Sequence, residues 1–228
     1  MKLINQNSLA ETLNNYYDAV YTGKAITAAE KKGLAKWLAS RQGLARSYAG
    51  MVTPTEKDYN NGVKLFTGEL IDMKASIGHI LGEESLRALH LLNVKDNSVQ
   101  QALKAAKNGI NNAIDQNIKL GNYPVGWYCC GKCSASYWRN LSAEGIVKNK
   151  SILNAGLKIL NKMRDGKGKW NRFPFYYTVM SLAGIDLPAA KAELAYAEKG
   201  ILRMARNSTR DKFAERRRII AKLALEKI

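Results

Sequence analysis

From Val99 to Ile118 apolar side chains return at every third or fourth residue: Val99, Leu103, Ala106, Ile110, Ala113, Ile114 and Ile118. Only a helix places positions of that period on a single face. The same spacing carries Leu153, Leu157 and Leu160, whereas the two-residue alternation of a half-buried strand is hard to find anywhere in the chain. Prolines are few, at positions 54, 124, 174 and 188. Three of them stand at segment starts, where a missing N–H is tolerated. These patterns predict an all-α fold of stacked helical hairpins, arranged as an open solenoid or closing on itself. At 228 residues the chain is long enough for one domain with a sizeable core.

Three segments follow from the pattern. Residues 1–77 hold a helical pair, about Ser8 to Tyr21 and Thr27 to Arg41, then an irregular stretch with a short helix around Glu56 to Leu65. Thr27 with Glu30 three residues on is a capping-box spacing. Residues 78–206 read as three hairpin repeats. Each has a glycine-rich lead-in, a first helix with small and aromatic residues, and an amphipathic second helix. The second helices span Ser98 to Asn117, Ser151 to Arg164 and Pro188 to Arg206. A period of about forty residues is what stacked helical repeats produce. Residues 207–228 form a basic C-terminal helix from roughly Thr209 to Lys227. All three segments are expected in one compact domain.

Charge narrows the partners. The chain carries 36 Lys and Arg against 19 Asp and Glu, a formal net charge of +17. A field of that sign favours nucleic acid or another polyanion. Lys169, Arg172, Arg203, Arg206, Arg210 and Arg217 are the candidate anion-binding residues. The last four recur at spacings of three, four and seven, which would put them in one row on a continuous helix. No stretch reaches the roughly 18 apolar residues of a membrane span, and the N-terminus lacks a signal peptide's apolar region. The odd number of cysteines, crowded together, argues against a disulfide framework. A cytoplasmic location is expected.

Aromatic residues cluster. Ten of them lie between Tyr123 and Tyr177, concentrated ahead of helices rather than along them. Two runs carry most: Gly126–Trp127–Tyr128–Cys129–Cys130–Gly131–Lys132–Cys133 and Gly168–Lys169–Trp170–Asn171–Arg172–Phe173–Pro174–Phe175–Tyr176–Tyr177. Trp127, Tyr128, Cys130, Cys133, Trp170, Phe173 and Tyr177 are therefore the expected walls of a ligand cleft. The Cys130–Gly131–Lys132–Cys133 spacing at a helix start would lower the first thiol's pKa. Redox motifs of this spacing sit beside a strand, and none is evident. Zinc would need His79 or His90 to join the three cysteines. With no second C-x-x-C and two cysteines adjacent, no metal and no cofactor are expected. His79 and Glu83, four apart on a helix, are candidates for an acid–base pair.

The run Gly168 to Ile185 resembles a repeat of the terpenoid cyclase and protein prenyltransferase superfamily, the α/α toroids. The resemblance rests on an aromatic, glycine-rich lead-in, the Tyr177–Thr178 pair and the small residues Ser181–Leu182–Ala183–Gly184. Cys133 to Leu141 looks like the inner helix of the preceding repeat. The resemblance implies a toroid-like fold over about 130 residues. It carries no zinc site, because Gly131 and Lys132 stand where that pattern has an aspartate and Tyr177 where it has a histidine. The leading expectation is a basic helical-repeat protein that binds nucleic acid or another polyanion beside an aromatic, cysteine-lined cleft. The alternative is an enzyme acting on a small molecule in that cleft.

Overall fold

Side-chain caps start five of the helices in the computed structural model, which describes residues 2–228. Among them are eleven helices and one two-stranded sheet, so the chain is all-α. None of these helices is long and apolar enough to cross a membrane. Two compact units divide the chain. Among the described residues, one holds residues 2–65 and 70–123, the other residues 66–69 and 124–228.

In the first unit, α1 (Leu9–Tyr21) begins where the Ser8 hydroxyl accepts the Glu11 N–H at 3.0 Å. The Thr27–Glu30 capping box forms and starts α2 (Ala28–Ala39). A second box, Thr55–Asp58, starts α3 (Glu56–Asn61). Asp58 is buried and also accepts the Ser8 hydroxyl at 2.7 Å and the Leu9 N–H at 2.8 Å. One carboxylate thus ties the starts of two helices together, which satisfies donors a helix leaves open. α4 (Lys74–Leu92) is buried along nearly its whole length. α1, α2 and α3 pack on it, and so does α5 (Asn97–Lys119). The helical stripe expected on α5 forms, with Val99, Ala102, Ala106, Ile110 and Ile114 buried. Gly109 belongs to the same helix. A methyl group there would stand 1.9 Å from the Ala49 carbonyl oxygen, so the loop before α3 rests directly on bare backbone.

The irregular stretch of this unit holds an element the periodicity did not indicate. The helix expected to run from Glu56 to Leu65 stops at Asn61, and Gly62 turns the chain at φ +68°. An antiparallel hairpin follows, β1 (Val63–Lys64) against β2 (Leu70–Ile71). Two-residue strands are too short to show any alternation, so sequence patterning is blind to them.

The second unit contains α6 (Gly131–Glu144), α7 (Ile146–Lys162), α8 (Phe175–Ala183), α9 (Pro188–Tyr196), α10 (Glu198–Arg206) and α11 (Lys212–Leu225). α6 packs on α7 and α8, α8 on α9 and α11, α7 on α9, and α10 on α11. The expected helix from Pro188 to Arg206 is two pieces, broken at Ala197. α6 and α7 meet over glycine. The Trp138 indole N–H donates to the Gly126 carbonyl at 2.8 Å, and a methyl on Gly156 would come within 2.4 Å of that same indole nitrogen. Gly126 has φ +83°, a conformation that costs other residues strain.

Two glycine substitutions should move stability in opposite directions. Gly33, exposed inside α2 with nothing near its missing methyl, should gain about 1 kcal/mol as Gly33→Ala. Gly156→Ala must displace a rigid buried indole and should lose about 1–3 kcal/mol. Denaturant midpoints of the two variants test this.

Candidate functional site

The loop between α7 and α8 is built around two carboxylates. Asp165 accepts the N–H groups of Lys167 at 2.7 Å and Lys169 at 2.9 Å, and the Tyr196 hydroxyl at 3.0 Å. The Lys169 and Lys167 amides, in that order, hold its pKa below the ordinary value. Glu193, on α9, is 2% exposed. Its oxygens receive the Trp170 indole N–H at 2.8 Å, the Asn161 amide at 2.9 Å and the Arg164 guanidinium twice at 3.0 Å. Trp170 is thereby locked and stacks on Phe175, with ring centroids 6.1 Å apart. Phe175 in turn lies against Gly200, where a methyl would approach its ring to 2.5 Å. This chain of contacts sets the spacing between the start of α8 and α10.

A cavity of about 480 Å³ opens beside Phe175. Lys169, Arg203, Arg206 and Arg217 line it, with Phe175, Tyr176 and Met204 as its apolar wall and no carboxylate among its described lining residues. Arg203 and Arg206 come from the last turn of α10, where cations also complement the partial negative charge of the helix end. That local preference does not account for Lys169 and Arg217 converging from elsewhere. Arg217 is held by two contacts. Its Nε donates to the Thr67 carbonyl at 2.6 Å, and its guanidinium covers the Tyr176 ring at 3.9 Å.

Residues 66–69, the tip of the hairpin, belong to this unit and organise it from far away in sequence. The Phe66 ring sits under Arg216 at 4.7 Å. Glu69 accepts the Tyr177 N–H at 2.8 Å, in the first turn of α8, where a carboxylate suits the helix dipole. Gly68, at φ +91°, lies against the Phe213 ring.

The single arginine row expected along Arg203, Arg206, Arg210 and Arg217 does not exist. α10 ends at Arg206, and Asp211 starts α11 by accepting the N–H groups of Phe213 at 2.9 Å and Ala214 at 3.1 Å. Arg218 closes the turn between them by donating to the Asn207 carbonyl at 2.6 Å and the Thr209 carbonyl at 2.9 Å. Arg203, Arg206 and Arg217 meet at the cavity through tertiary folding instead. Arg210, in the turn, and Arg172, in the lead-in loop, are exposed and do not line it.

The aromatic residues expected to wall a cleft pack into the interior. Tyr128, Trp170, Phe173 and Tyr177 are buried, and Trp127 is half-buried with its ring edge on Phe173 at 5.8 Å. Phe173 stacks on Trp138 at 5.6 Å. None of the five lines the cavity, where the neighbours Phe175 and Tyr176 stand instead. His79 and Glu83 are both buried on α4 of the first unit. Burial pulls the His79 pKa down to about 4, and its ring lies 4.0 Å from Tyr48. An imidazole so placed is neutral near pH 7 and a weak base.

The three cysteines are thiols at the start of α6. Cys130 occupies the N-cap position and is half-buried, whereas Cys133 is buried. Their sulfurs lie 3.6 Å apart. Gly131 between them allows the Arg172 carbonyl to approach within 2.3 Å of where a methyl would be. The Cys133 thiol, then the Cys133 and Lys132 amides, stabilise a Cys130 thiolate and bring its pKa down to about 5 against the opposing effect of burial. Cys133 moves the opposite way, because its proton is shared with Cys129 and Cys130 and because it is buried.

Two outcomes follow from these contacts. Glu193→Ala strands the Arg164 charge and the Trp170 donor, and should cost about 2–4 kcal/mol in chemical denaturation. Iodoacetamide should alkylate Cys130 at a rate that follows its thiolate, half-maximal near pH 5. Because folding depresses this pKa, the thiolate's stabilising effect is complete above the ordinary thiol value of 9.0 and is lost as the pH falls through about 5. A rate still climbing at pH 8 contradicts the geometry.

The chain matches no protein-family model, no curated protein and no solved structure.

Proposed function

We propose that this protein binds nucleic acid, seating a nucleotide of a single strand in the basic cavity of its second unit. One observation carries the reading: four cations from three separate elements converge on a concave surface that has an aromatic wall and no carboxylate among its described lining residues. Solvated charge on helices gives scattered cations with acids interspersed, not a convergent set. Guanidinium groups suit phosphate oxygens in number and geometry. An aromatic face such as Phe175 offers stacking to any base, which is how single strands are held without sequence readout. The volume suits a nucleotide-sized group. The net charge of +17 draws a polyanion toward the surface before contact.

The test is a salt titration with a fluorescent oligonucleotide. Changing Lys169, Arg203 and Arg206 to serine should leave folding nearly intact, because exposed charges contribute about 0–1 kcal/mol each. The same triple change should weaken binding about tenfold or more and flatten the slope of log affinity against log salt by about two. Serine at Arg172, Arg210 and Lys222, which removes equal charge away from the cavity, should do much less. Equal losses in the two triple variants would reduce the interaction to diffuse charge. A free nucleotide binding as tightly as the oligonucleotide, with little salt dependence, would favour the small-molecule enzyme instead.

A further inference from the structure

We propose that Cys130 and Cys133 form a dithiol–disulfide exchange site, which takes a low-molecular-weight or protein disulfide as substrate and closes to an intramolecular disulfide. Three features of the second unit support it together. The sulfurs already lie 3.6 Å apart, and residues three apart in the first turn of a helix sit at the Cα separation a disulfide accepts. The two thiols are unequal in access, Cys130 half-buried and Cys133 buried, so the first can meet a substrate while the second reaches only the sulfurs beside it. Cys130 occupies the N-cap position of α6, where the positive end of the helix dipole favours a thiolate, and the low Cys130 pKa accords with that position.

The exchange balances in two steps. The Cys130 thiolate attacks one sulfur of the substrate disulfide. That S–S bond breaks, a Cys130 mixed disulfide forms, and the first substrate thiolate leaves and takes up a proton. Cys133 then loses its proton to solvent and attacks the Cys130 sulfur. The mixed disulfide breaks, the Cys130–Cys133 bond forms, and the second substrate thiol departs. Two electrons pass from the protein dithiol to the substrate, which is reduced to two thiols. A small dithiol returns the protein to its starting state by the reverse route. Cys129, at φ +53°, is a poor partner for its neighbour Cys130, but its sulfur also lies beside Cys133, so the variant Cys129→Ser separates it from the Cys130–Cys133 pair.

Oxidised glutathione is the probe, added to the chelator-washed, reduced full-length protein and followed by intact mass and peptide mapping. The parent and Cys129→Ser should each lose two hydrogens and map to a Cys130–Cys133 link. Cys133→Ser should stall as a glutathione adduct on Cys130, and Cys130→Ser should react about tenfold or more slowly. Mapping in the parent needs no variant, so a misfolded Cys133→Ser leaves the proposal exposed to disproof, and Cys133→Ala repeats the trap. A link to Cys129 would overturn it. So would an unreactive parent, an adduct that persists in the parent without closing, or one metal ion per chain retained on the cysteines after chelation.

Discussion

The buried carboxylate of Glu193 sets the geometry on which the rest of the second unit depends. Four donors from three residues converge on it. A buried charge is tolerable only when its lone pairs are filled, and here they are filled by an arginine, an amide and an indole. Each donor brings its own segment along. Asn161 and Arg164 bring the end of α7, and Trp170 brings the loop that follows. Trp170 then carries Phe175, and Phe175 bears on Gly200 of α10. The cavity wall is the downstream end of that sequence of contacts.

A second constraint reaches the cavity from the opposite direction in sequence. Thr67 and Glu69 precede α8 by more than a hundred residues, yet one holds Arg217 and the other caps α8. Gly68 makes the close approach to Phe213 feasible. Like charges placed together repel, so four converging cations need fixed supports. The Thr67 carbonyl and the Tyr176 ring hold Arg217, and the Asp165 side chain holds the Lys169 backbone N–H.

The cysteine cluster and the basic cavity use different physics within one unit. In the proposed function the cavity would act by long-range attraction that salt screens. The proposed dithiol would act at short range, through contacts between sulfurs and with the amides at the start of α6. Glycine links them structurally. Gly131 lets the Arg172 carbonyl come close, and that residue lies in the same loop that delivers Lys169.

Local chemistry was legible in the chain itself. Helical period, the capping box at Thr27 and prolines at helix starts act over four residues or fewer, so the sequence determined the all-α class and most helix starts. It also singled out Lys169, Arg203, Arg206 and Arg217 as cations worth attention, and the Cys130–Cys133 spacing as a pair. What it could not convey was direction. A regular helix through Arg210 would have been consistent with the spacing of the arginines; Asp211 capping and Arg218 closing the turn decided otherwise. Clustered aromatics satisfy a core and a cleft equally well, and only the Glu193 contact turned Trp170 inward and left Phe175 at the wall. The meeting of Lys169, α10, α11 and the hairpin tip was decided by tertiary structure alone, because it depends on hydrogen bonds between residues up to 150 positions apart, and no local pattern encodes them.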